Sequence, residues 1–134
     1  MHLQKFLFMK RIAILLLIIT IPFLYACKEK LVKYKDSGTT VTLMVDQVLK
    51  VELPGDATSG SDWREMRYDN VILNKKGKGN YLLGDGTTPG IYYFRFRAMI
   101  PGETHLYMEF GNKYDSDKNP SKVFEIDVVV VPKR

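Results

Sequence analysis

Residue types that do chemistry are scarce in this 134-residue chain. It holds two histidines, His2 and His105, and one cysteine, Cys27. A nucleophilic site needs a thiol or hydroxyl with a base in hydrogen-bond reach. No serine here has a histidine and a carboxylate at a recognisable spacing. His105 falls mid-strand on an outward-facing position, so catalysis is not expected. "GKGNYLLGDG", Gly77 to Gly86, is glycine-rich but precedes no helical pattern, which argues against a phosphate cradle. "DSDKNP", Asp115 to Pro120, begins like a calcium loop. Its sixth position is Pro120 where that turn needs glycine, and its twelfth is Ile126 where a bidentate glutamate belongs. A polar loop is the better reading, and neither metal nor cofactor is expected. The remaining oddity is "LPGDATSGSDW", Leu53 to Trp63, a long small-residue connection between a hydrophobic run and the lone tryptophan.

Cys27 belongs to a different chemistry. Lys5, Lys10 and Arg11 precede the apolar run "IAILLLIITIPFLYA", an arrangement that reads as an export signal and is short for a membrane span. "LYAC", Leu24 to Cys27, resembles a bacterial lipobox, in which cleavage leaves the cysteine as a diacylglycerol-bearing N-terminus. The same residues also suit a plain secretion signal that ends near a cysteine. The expected organisation is a signal over 1–26, a lipidated Cys27 with a tether to residue 38, and a domain over 39–134. The protein would then sit in the cell envelope, anchored by lipid at the periplasmic face or the cell surface. With one cysteine, no disulfide can form within the chain.

The formal charge of +5 overstates the basicity of the domain. Three of the twenty basic residues lie in the leader and none of the fifteen acidic ones do, leaving 17 against 15. That balance is no nucleic-acid footprint.

Period-two alternation dominates beyond the tether. Val41, Leu43 and Val45 share a face, as do Leu49, Val51 and Leu53; Phe94, Phe96 and Ala98; Leu106, Met108 and Phe110; and Phe124, Ile126, Val128 and Val130. Alternation of this kind marks strands with one buried face. Turn signals at Asp46-Gln47, Pro54-Gly55, Asp69-Asn70, Gly84 to Gly90, Pro101-Gly102 and Gly111 to Pro120 separate them. No stretch offers an amphipathic helix. Seven or eight short strands predict an all-β, immunoglobulin-like antiparallel sandwich. Three connections are long: Pro54 to Asp62, Gly84 to Gly90, and Gly111 to Ser121. If strands alternate up and down, all three emerge at one end, where binding loops commonly gather.

These residues resemble the chagasin family, protein inhibitors of papain-like cysteine peptidases. The family's first loop reads Asn-Pro-Thr-Thr-Gly-Phe-x-Trp after Leu-Pro. Here Leu53, Pro54, Thr58, Gly60 and Trp63 are kept and Ser59 stands for the second threonine. The second loop, Gly-x-Gly-Gly before Phe-x-Phe-x-Ala, is matched by Gly84, Gly86, Phe94, Phe96 and Ala98. Asp56-Ala57 replace Asn-Pro, Ser61 replaces the aromatic, and Asn112-Lys113-Tyr114 replace Arg-Pro-Trp in the third. Losing the proline raises the ordering cost of the first loop. Tyr114 offers less stacking area than tryptophan.

The resemblance implies a reversible, competitive inhibitor that occludes a peptidase cleft without chemistry. Its contacts would come from Asp56, Ala57, Thr58, Ser59, Gly60 and Ser61 in the first loop, and Gly84, Asp85, Gly86, Thr87 and Thr88 in the second. Asn112, Lys113 and Tyr114 would supply the third. The alternative is an exported binding module that uses the same scaffold for a glycan, an envelope component or a partner protein, with Tyr92, Tyr93, Tyr107 and Tyr114 as stacking platforms.

Overall fold

The computed structural model describes residues 29–55, 60–85, 89–115 and 117–134, with Glu65 through its backbone alone. These residues form two facing sheets. Nine strands are described, more than the seven or eight expected: β1 (Lys30–Lys33), β2 (Thr40–Met44), β3 (Val48–Gly55), β4 (Ser61–Arg67), β5 (Leu73–Lys75), β6 (Asn80–Leu82), β7 (Gly90–Ala98), β8 (Gly102–Asn112) and β9 (Lys122–Val131). The first sheet runs β1-β3-β7-β5 with β6 also on β7, and the second runs β2-β9-β8-β4. Neighbours are antiparallel except β1 with β3 and β2 with β9, which run parallel, so both sheets are mixed rather than purely antiparallel.

The parallel pairs correct the expected tether. The segment up to Gly38, assigned to a linker on its polar composition, is docked from Lys30 onward. β1 lies along β3 with Val32 buried, a single 3₁₀ turn follows at Tyr34–Asp36, and the amide of Gly38 donates to the carbonyl of Glu125 at 2.7 Å. From Lys30 the chain thus runs in one sheet and then crosses to the other, which ties the two together. β1 ends opposite Glu52, so β3 is a sheet edge where Pro54, lacking an amide hydrogen, is tolerated.

The core follows the alternation. Leu43, Leu49, Val51, Leu53, Phe96, Leu106, Met108, Phe124, Ile126 and Val128 are sealed between the sheets. β9, apolar over its last four residues, is a central strand between β2 and β8. A bulge in β4 puts one extra residue between Trp63 and Glu65. Trp63 and Met66, three apart, therefore both pack on the core. Trp63 is the core tryptophan of the sandwich: it packs on Phe110 at 5.3 Å, and its indole donates to the carbonyl of Pro54 at 3.1 Å, bridging the sheets. Among the described residues no helix is long and apolar enough to cross a membrane.

Candidate functional site

The strand registers place the stems of the three long connections together. In the first sheet Gly55 faces Gly90, and Leu82 faces Ile91. In the second, Ser61 faces Asn112 and Lys122 faces Phe110. The connection from β3 to β4 crosses between sheets, which brings both sets of stems to one end of the sandwich. There the amide of Lys113 donates to the carbonyl of Gly60 at 3.2 Å, joining the first connection to the third.

Of the residues expected at this end, Gly60, Ser61, Gly84, Asp85, Asn112, Lys113 and Tyr114 are described. Asp56, Ala57, Thr58, Ser59, Gly86, Thr87 and Thr88 lie outside the described residues, as does Cys27. Pro54 and Gly55 belong to β3, and Ser61 and Asp62 to β4, so the first connection is shorter than the sequence suggested. Gly60 takes a φ of +79°, a left-handed conformation that suits glycine. The Asn112 carboxamide oxygen accepts the Tyr114 amide at 2.8 Å, a local turn that Asn is suited to make. Tyr114 is left 83% exposed, with the Lys113 ammonium 5.3 Å from its ring centre.

Two supports were not foreseen. Arg64, the residue at the bulge, is almost wholly covered and points toward the third connection. Its Nε pairs with Glu109 Oε1 at 3.1 Å, while its guanidinium donates to the carbonyls of Asn112 at 3.1 Å, Asp115 at 2.9 Å and Lys118. Gly111, assigned to a turn in the sequence, falls inside β8, where the missing side chain permits this close approach. The second support is a pair of tyrosines at the stem of the first and second connections. Tyr92 packs over Gly55, Tyr81 packs over Gly90, and the two rings lie 4.7 Å apart. Leu82 and Leu83, beside the second connection, are both exposed. Two adjacent leucines before a glycine break the alternation, and that break was the available signal.

The tyrosines do not gather on a face. Tyr92, expected outside, is buried and stacked on Phe94, because it shares the inward parity of Phe94 and Phe96. Tyr93 is on the outer face of the first sheet under Lys50, and Tyr107 on that of the second under Arg67. His105 lies on the outer face of the second sheet, as its strand phase predicts. Its Nδ1 is 2.7 Å from Asp127 and its Nε2 3.1 Å from Glu125. Those hydrogen bonds, Asp127 first, raise its pKa against a small opposing effect of desolvation. Among the described residues no group of three His, Cys, Asp or Glu side chains is arranged to hold a metal. Asp115 is engaged locally, accepting the Asp117 amide at 3.3 Å and facing Lys118 at 3.8 Å.

Comparison with known proteins gives the geometry a context. Residues 42–128 match the family model described as chagasin family peptidase inhibitor I42. The fold is similar to the crystal structure of the cysteine protease inhibitor EhICP2 from Entamoeba histolytica, with a TM-score of 0.67 and 15% identity over 76% of this chain and 94% of that one. It is also similar to the solution structure of Amebosin, with a TM-score of 0.57 and 17% identity over 78% of this chain and 99% of that one. No curated protein matches the sequence.

Proposed function

The chain belongs to the chagasin family, a family of peptidase inhibitors and not of enzymes, and from that premise we propose that it inhibits papain-like cysteine peptidases by filling the active-site cleft with its three long connections. The inhibition is reversible and competitive. Thr58, Ser59 and Gly60 enter the cleft beside the catalytic cysteine and histidine, and Gly84 to Thr88 and Asn112 to Tyr114 grip its two walls. The protein acts from the cell envelope, held by lipid on Cys27.

One observation carries this reading: the stems of all three connections share one end and are braced there, by Lys113 on Gly60 and by Arg64 on the third connection. Bracing matters because a wedge ordered in advance loses little entropy on binding. A contact of about 800 Å² per partner then suffices for tight association. The glycan alternative wants aromatics collected on one surface, and Tyr93 and Tyr107 lie on opposite faces under cations.

Titrating papain with residues 28–134 tests the proposal. Loss of activity that excess peptide substrate relieves is the expected result. No inhibition at micromolar protein would refute it. Ser59→Arg, placing a long cation at the apex, should abolish the inhibition that the parent shows.

A further inference from the structure

The end of the sandwich opposite the three connections carries its own exposed apolar group. The turn between β7 and β8 presents Met99 and Ile100, and the segment before β5 presents Val71, all well exposed. The two segments are one unit: the Met99 amide donates to the carbonyl of Ile72 at 2.8 Å, and Ile72 lies against Gly102. Exposed apolar side chains grouped at one pole are a candidate contact surface.

The chain itself indicates what covers them. β1 runs parallel to β3, and Lys30 is level with Leu49, near the start of β3. Since β3 ends at Gly55 among the stems, Glu29 enters the fold at the far end. That is the end of the β7–β8 turn, for Val48 faces Arg97 and Leu73 faces Ala98. Only Lys28 separates Glu29 from Cys27, and the apolar run Ile12 to Ala26 comes directly before. One residue spans less than ~4 Å. A lipid on Cys27 would therefore bring the bilayer to the domain at this pole.

We propose that Val71, Met99 and Ile100 form a membrane-contacting foot, which stands the sandwich upright on the bilayer with the three connections directed away from it. The inference rests on membrane attachment through the leader, one part of the proposed function, and not on peptidase inhibition. The nine residues of β7 run from foot to stem and span about 30 Å at ~3.4 Å per residue. The connections would thus be held clear of the headgroups, open to a soluble partner. The charges around the foot are mixed, with Lys133 paired to Asp46 at 3.5 Å, so the contact is apolar and needs no anionic lipid. Apolar side chains seated at the interface add buried area to the attachment that the leader supplies and fix the tilt of the domain on it.

The test uses the full chain, produced with its leader and reconstituted into vesicles of brominated phosphatidylcholine, whose bromines quench nearby tryptophan. The lone native tryptophan, Trp63, is buried near the stems and serves as the internal reference. Ile100→Trp should add emission that is mostly lost on brominated relative to plain vesicles. Tyr114→Trp should add emission that is not. Adding Met99→Glu to Ile100→Trp should restore much of the lost signal. Equal quenching at both positions, no quenching at position 100, or indifference to Met99→Glu would overturn the foot. Inhibition of papain does not enter the readout, so failure of the inhibitor proposal would leave this result standing.

Discussion

The guanidinium of Arg64 lies across Gly111, so close that a β-carbon there would stand 2.8 Å from its Cζ. The strand that follows the first connection thereby grips the backbone of the third through the carbonyls of Asn112, Asp115 and Lys118. Hydrogen bonds from a charged donor are worth about 1.5–3 kcal/mol each when buried. Arg64→Leu should cost roughly 3–5 kcal/mol, since it strips three carbonyls of their donor and leaves Glu109 with less compensation. Gly111→Ala should cost a similar amount by evicting the guanidinium. Because both remove the same contact, the double variant should lose far less than the sum, which chemical denaturation of the four proteins in a cycle would show. Arg64→Lys, with a point charge in place of a fork, should not restore the parent.

The other stem depends on small residues in the same way. A β-carbon on Gly90 would collide with the Tyr81 hydroxyl, and one on Gly55 with the ring of Tyr92. Gly90→Ala should force Tyr81 off Tyr92 at a cost of about 1–3 kcal/mol. For a domain of this size that is a fall in Tm of roughly 4–8 °C per kcal/mol. Placed on a Tyr81→Ala background, the same substitution should cost little. An equal drop on both backgrounds would exclude the steric account.

His105 gives stability a pH dependence of definite sign. Hydrogen bonds to Asp127 and then Glu125 raise its folded pKa above the ordinary 6.5. The protonated form is thus favoured by folding, and its contribution is fully present below about pH 6.5. It is lost as pH rises through the higher folded value. Tm should fall over that interval in the parent, and His105→Gln should flatten the slope there. The pair is exposed, so added salt should shrink the effect. A slope unchanged by the substitution would count against it.

Strand phase was legible wherever a strand was long enough to alternate. β7, β8 and β9 bury the very residues that parity assigns, because a one-residue slip would turn every side chain over. β1 was invisible: only Val32 of its four residues is buried, and the adjacent apolar pair Leu31 and Val32 carries no period of two. β5 and β6, at three residues each, suffer from the same brevity. The convergence of the loop stems could be inferred from strand count and direction. The bracing by Arg64 could not, since it depends on a bulge that shifts the register of β4 and on a partner 45 residues away.

Tyr114 separates binding from folding most cleanly. It stands 83% exposed on the third connection, and its ring has no neighbour in the core cluster. Tyr114→Ala should therefore change stability by less than about 0.5 kcal/mol, the ordinary range for an exposed position. Aromatic anchors at interfaces are often worth 2 kcal/mol or more. If the third connection grips a peptidase wall, the inhibition constant against papain should rise tenfold or more while Tm stays put, and Tyr114→Trp should tighten binding by adding stacking area. An unchanged inhibition constant would remove the third connection from the wedge. A fall in Tm would mean that the ring is structural after all, and would move the search for the third contact to Lys113.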